Sequence, residues 1–157
     1  PAKLIEYLDE VFVYFDDLSD KYGVKKIRTI GDAYMVAAGV PTPREDHAEV
    51  LGWMALDIMA FAAIATKNSG LQTQFRVGIN SGPVVAGIIG RKKFQYDLWG
   101  DTVNTASRME SLGVPGKIQI TGATRALLAD KFQCEPRGEI DVKGIGPLTT
   151  YFLNGPA

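Results

Sequence analysis

Leu4, Leu8, Val11, Phe12, Phe15, Leu18 and Tyr22 recur at spacings of three and four, the signature of one apolar helix face. Gly23 follows as its C-terminal stop. The period then changes. Residues 24–30 and 33–40 read as two strands joined through Gly31-Asp32, a pair suited to a tight hairpin. Thr42-Pro43-Arg44-Glu45 has the form of a capping box with proline at the first helical position. It predicts a helix to about Thr66, ended by Asn68-Ser69-Gly70. Residues 75–79 and 84–89 predict a second strand pair, turning at Ser81-Gly82. Arg91-Lys92-Lys93 interrupts, and residues 94–99 resume a strand. Asp101 then caps a helix running to about Leu112 and stopped by Gly113. Residues 117–120 are strand-like, 121–131 helical, and 139–142 and 149–153 strand-like. With no repeat and no long linker, residues 1–157 predict a single α+β domain with a largely antiparallel sheet.

Composition narrows the possible functions. The chain is 46% hydrophobic and 22% charged over 157 residues, enough to bury roughly 70% of its unfolded surface. A net charge of -1, without a dense Lys/Arg run, gives no electrostatic basis for nucleic-acid binding. The single cysteine, Cys134, leaves no internal disulfide and fits a reducing compartment. The single histidine, His47, excludes a multi-histidine metal site, so any metal must rest on carboxylates and be a hard ion such as magnesium or manganese. The richest apolar stretch, 51–65, is interrupted by Asp57 and reads as a buried helix. The expectation is a soluble, cytoplasmic chain without direct membrane contact, whatever anchor a longer parent protein carries.

The segment 94–110 concentrates the chemistry. In a helix starting after Asp101, Asn104 and Arg108 are four apart and share a face. Asp97 lies just upstream, at a strand end. An acceptor, an amide and a guanidinium converging on one volume suit reading a base edge and stabilising phosphate charge. The same pattern fits a surface helix with a capping aspartate and a solvated arginine, and spacing alone leaves the two even.

Residues 94–110 resemble the signature of class III nucleotide cyclases, the adenylyl and guanylyl cyclases. Three other stretches agree. Arg28-Thr29-Ile30-Gly31-Asp32-Ala33-Tyr34-Met35 resembles the family's metal-binding hairpin, and residues 76–87 its glycine-rich strand pair. Val142-Lys143-Gly144 with Thr150-Tyr151-Phe152 resembles its phosphate-binding strand. The resemblance implies a ferredoxin-like α/β sandwich and conversion of ATP to 3′,5′-cyclic AMP and pyrophosphate. It also implies a head-to-tail homodimer with shared active sites and two magnesium or manganese ions per site. Asp32 then matches a metal ligand, Asp97 the acceptor for the adenine amino group, and Arg28 its positively charged companion. Asn104 matches the ribose-orienting residue, Arg108 the group that stabilises the transition-state phosphate, and Lys143 the ligand of the outer phosphates. Taken singly, Asp32 is equally a hairpin-turn residue and Lys143 a solvated lysine.

Two departures from the family pattern stand out. Arg28 occupies a position where adenylyl cyclases usually carry lysine and guanylyl cyclases glutamate; arginine keeps the charge but is planar and bulkier. With Asp97 it favours ATP over GTP. The strand that in the family carries the first metal aspartate is missing before residue 1, and Asp9, Asp16 and Asp17 are poor substitutes on a helix. The expectation is an N-terminally truncated domain lacking its first strand. Two other functions remain in view: a non-catalytic, nucleotide-binding cyclase-like subunit, which the missing aspartate favours, and a guanylyl cyclase, against which Arg28 and Asp97 count.

Overall fold

The computed structural model describes residues 2–69, 74–90, 95–128 and 130–157. It divides into two compact units, Pro1–Met54 with Ala86–Asp97, and Ala55–Val85 with Leu98–Ala157. The elements are α1 (Ala2–Tyr22), β1 (Lys25–Ile30), β2 (Ala33–Ala37), α2 (His47–Ser69), β3 (Val77–Ile79), β4 (Val85–Ile89), β5 (Gln95–Trp99), α3 (Asp101–Ser111), β6 (Ile118–Thr121), α4 (Gly122–Leu128), β7 (Phe132–Val142) and β8 (Gly146–Pro156). The α+β class and the mostly antiparallel pairing follow the sequence expectation: among the described strand pairs with a register, β3 with β6 alone is parallel.

In the first unit, the predicted face of α1 buries Val11, Phe15 and Leu18. Phe12 and Phe15 hold the ring of Tyr34 from β2, with centroids 5.5 and 5.4 Å away. Gly23 adopts φ 66°, and the next amide bonds back to the Ser19 carbonyl at 3.0 Å, closing the helix as expected. β1 and β2 form the hairpin around Gly31-Asp32, with Ile30 opposite Ala33 and a bulge between Lys26 and Arg28. The capping box at 42–45 does not form. Arg44 instead donates to the Tyr22 carbonyl at 2.9 Å, satisfying an end of α1, and pairs with Asp46 at 2.6 Å. The Asp46 carbonyl accepts from Val50, so the following helix starts at His47. That helix, α2, was expected to be buried and is only partly so: Met54, Ala55 and Ala62 are enclosed, whereas Ile64 is exposed. By length and composition alone it is apolar enough to cross a membrane, a property shared with core helices of soluble domains.

The second unit is a four-stranded sheet in the order β3-β6-β8-β7. β6 is buried along its whole length, and Ile118, Ile120, Met109, Leu128 and Leu153 fill the core. Two expectations are corrected here. β3 does not turn back onto β4; it runs parallel to β6, while β4 pairs with β5. Pro83 lacks the N–H that a returning strand would need, and its carbonyl accepts from the Thr102 hydroxyl of α3 at 2.6 Å. β7 and β8 are also far longer than the segments 139–142 and 149–153. Their pairing extends from Val142 opposite Gly146 to Phe132 opposite Pro156. Most of β7 between its ends is exposed, so it carries no strong alternation to read.

α3 presses against β3 at Gly78, where a Cβ would lie 2.1 Å from the Glu110 backbone nitrogen. No flexible side chain can yield there. Gly78→Ala should therefore lower stability by about 2–3 kcal/mol or more through overpacking. Gly155→Ala, where nothing lies within 4 Å of the added carbon, should be near neutral. Urea unfolding of both variants checks this, and equal midpoints would show that α3 does not sit on the β3 backbone.

Candidate functional site

In the first unit, Arg28 extends from β1 just past the bulge, and its Nη1 donates to both carboxylate oxygens of Asp97 on β5. The two residues are 69 positions apart. Asp97 is buried and Arg28 half-buried, so this charge-assisted contact is better shielded than a surface ion pair. The Lys25 ammonium lies 5.8 Å from the ring centre of Tyr96, next to Asp97. Asp32, at the hairpin tip, is exposed.

Asp16 is committed elsewhere. It accepts from the Tyr34 hydroxyl at 2.5 Å and pairs with Lys26 at 3.1 Å. The Tyr34 hydrogen bond holds its carboxyl below the usual range, while burial, with Asp16 beside it, pushes the Tyr34 phenol above its own.

In the second unit, Asn104 and Arg108 lie one turn apart on α3, both exposed. Asp101 is the first helical residue rather than the cap; Gly100 takes the cap position at φ 121°, and its carbonyl accepts from the Asn104 amide at 3.1 Å. Asp97 belongs to the first unit with Arg28, whereas Asn104 and Arg108 belong to the second. Lys143 is exposed in the turn between β7 and β8, not within a strand as the motif suggested; Gly144 at φ 84° makes that turn. Two cavities in this unit, of about 500 and 260 Å³, are lined by none of the six nominated residues.

A hard cation would find suitable donor chemistry in Asp32 but too few donors. Among the described residues no group of three or more His, Cys, Asp or Glu side chains could hold a metal. The chain's described residues therefore do not make a complete metal site, and no chemical step is assigned to one.

Sequence reasoning missed the residues that hold α3. Asn80 donates to the Thr102 carbonyl at 3.1 Å and accepts from Thr121 at 2.7 Å. Gln119, fully buried, donates to the Met109 carbonyl at 3.0 Å, and Arg137 donates to the Leu112 carbonyl at 2.9 Å and to Gln119. The one available signal was an asparagine directly after a short apolar strand, which reads equally well as a turn.

Comparison with known proteins agrees with the motif reading. Residues 1–155 match the family described as "Adenylate and Guanylate cyclase catalytic domain". The chain belongs to this family of class III nucleotide cyclase domains. It is 46% identical over 155 residues to an adenylate cyclase of Mycobacterium tuberculosis, covering 99% of this chain and 35% of that protein. It is 47% identical over 155 residues to the guanylate cyclase soluble subunit beta-2 of Rattus norvegicus, covering 98% of this chain and 23% of that protein. The chain thus spans about a third or less of the length of these relatives. The crystal structure of the guanylate cyclase domain of RhGC from Catenaria anguillulae, in complex with GTP, superposes with a TM-score of 0.89 at 38% identity, covering 96% of this chain and 82% of that one.

Two stability measurements test the first unit. Arg28→Ala and Asp97→Ala should each destabilise, and the double variant should show a coupling energy of about 1–3 kcal/mol; simple additivity, to within about 0.5, would mean that the pair contributes nothing. Tyr34→Phe tests the pH dependence. Because the folded carboxyl of Asp16 sits below its unfolded value, its contribution is present above pH ~4 and is lost as pH falls through the folded value. The stability gap between the parent and Tyr34→Phe should therefore narrow between about pH 6 and pH 3. A constant gap would contradict this.

Proposed function

We propose that this chain is the catalytic part of an adenylyl cyclase, which converts ATP to 3′,5′-cyclic AMP and pyrophosphate at sites shared by two copies. The ribose 3′-oxygen attacks the α-phosphorus, the hydroxyl proton is lost, and the bond to the bridging oxygen breaks to release pyrophosphate. The observation that carries this reading is the contact of Arg28 with Asp97. It sets a fixed donor beside a fixed acceptor, matching the N1 acceptor and N6 amino donor of adenine. The M. tuberculosis relative is an adenylate cyclase, which supports the same choice. A donor and acceptor can also meet guanine's edge, as the guanylate cyclase relatives make pertinent, so both nucleotides belong in the test.

In this reading Asn104 orients the ribose and Arg108 stabilises charge on the phosphate in the transition state. Lys143 binds the outer phosphates. Asp32 offers an oxygen ligand to a divalent cation, magnesium or manganese, which when bound would offset the charge of the triphosphate. The shared site is motivated by the hairpin. Arg28 and Asp32 lie on the same short ribbon, at a rise of about 3.3 Å per residue, while base and triphosphate are opposite ends of one ligand. Two copies related by a twofold axis allow each residue to serve a different nucleotide. Exposed Ile30, Ile88 and Ile89 offer a second copy apolar surface to cover.

The full-length protein should form cyclic AMP from ATP in preference to cyclic GMP from GTP; the reverse preference would sink the assignment. Arg108→Ala should cost about 10²–10³ in kcat with a much smaller change in nucleotide affinity. Mixing Asp32→Ala with Arg108→Ala should restore activity, because one site of the mixed dimer escapes both lesions. Folded, mixed dimers that stay as inactive as either parent variant would rule out sharing.

A further inference from the structure

We propose that Asn80 is a positioning residue for the reaction, setting the angle at which α3 presents Asn104 and Arg108. This rests on the cyclase reading of those two residues. The helix is held in three places within the second unit. At its C-terminal end Gln119 and Arg137 bind the Met109 and Leu112 carbonyls. Along its second half Gly78 lets the backbone of β3 meet that of Glu110, beside an Arg76–Glu110 ion pair at 3.1 Å. At the end nearest Asn104 the hold passes through Asn80 and the Thr102 hydroxyl.

Asn80 is suited to this position because it needs a donor and an acceptor together. Its amide nitrogen donates to Thr102 while its oxygen accepts from Thr121. Thr121 is buried and closes a polar network with Thr124, which contacts Ser81 at 2.9 Å. A connected network of short side chains fixes one geometry rather than several. The link is therefore continuous from the centre of the sheet, through Asn80, to the first turn of α3. Asn104 lies two residues beyond Thr102 and Arg108 six, about 3 and 9 Å along the axis. With Gly78 as a fulcrum, releasing the N-terminal hold would tilt the helix and displace both side chains. A displacement of about 1 Å in a reacting constellation costs on the order of 10²-fold in rate. Each polar group of Asn80 makes a bond inside the protein, so its proposed action is through α3.

The test measures kcat and KM for ATP in the full-length protein, for Asn80→Ala and Asn80→Asp, each alone and combined with Arg108→Ala. Asn80→Asp keeps the shape and the acceptor but sets a carboxylate oxygen against the Thr102 carbonyl. Either change should lower kcat by about 10- to 100-fold while KM moves by less than about threefold. In the Arg108→Ala background the same change should cost clearly less than in the parent, because one of the two residues it positions is already gone and only the displacement of Asn104 remains. An unchanged kcat, a rise in KM alone, or equal losses in both backgrounds would overturn the proposal. Amide hydrogen exchange provides an activity-free arm. Both variants should speed exchange in α3 while leaving β7 and β8 protected, and identical protection of α3 would also overturn it. If Arg108→Ala leaves kcat unchanged, the cyclase assignment of Arg108 fails, and the exchange arm still decides whether Asn80 holds the helix. Should Asn80→Ala not fold, Asn80→Asp carries both arms.

Discussion

The second unit depends on the close approach of α3 to β3. A helix carrying exposed polar groups, as α3 does with Asn104 and Arg108, gains little stability from that face. It must be fixed by its other face. Thr105 and Met109 supply burial there, and Gly78 removes the side chain that would keep the two backbones apart. Among the described residues, further holds on α3 include an Arg76–Glu110 ion pair and hydrogen bonds to its carbonyls or from the Thr102 hydroxyl. Such bonds fix rotation and tilt in a way that hydrophobic contact, being non-directional, does not.

The first unit solves a different problem. Asp97 is a buried carboxylate, which is costly unless a partner offsets its desolvation. Arg28 provides that partner, and the bulge in β1 precedes it directly. In the proposed reading the same guanidinium would also read a base, and it would then be partly occupied before substrate arrives. Arginine's several donors allow this, since the nitrogen bound to Asp97 leaves others on the same guanidinium. A lysine at residue 28 would bring a single point charge to the same task.

Local pattern made much of the fold legible. The face of α1, the hairpin at Gly31-Asp32 and the existence of α3 follow from short-range rules that the packing reinforces. Errors arose where side chains outside the local window intervened. Arg44 turned from a helix to cap α1, and Pro83 gave its carbonyl to α3 instead of starting a hairpin. Parallel pairing of β3 with β6 joins segments some forty residues apart, which no turn signal announces. For the site, motif resemblance nominated Arg28, Asp32, Asp97, Asn104, Arg108 and Lys143. The contact of Arg28 with Asp97 and the role of Asn80 emerged only from the fold, because they depend on which strands become neighbours.

The most direct test of the central claim is a crystal structure of the protein with a slowly reacting ATP analogue and magnesium. The account predicts the adenine beside Arg28 and Asp97 of one copy and the triphosphate beside Asp32 of the other. Arg108 should point at the α-phosphate. A nucleotide bound wholly by one copy, or a base lying away from Arg28 and Asp97, would contradict it.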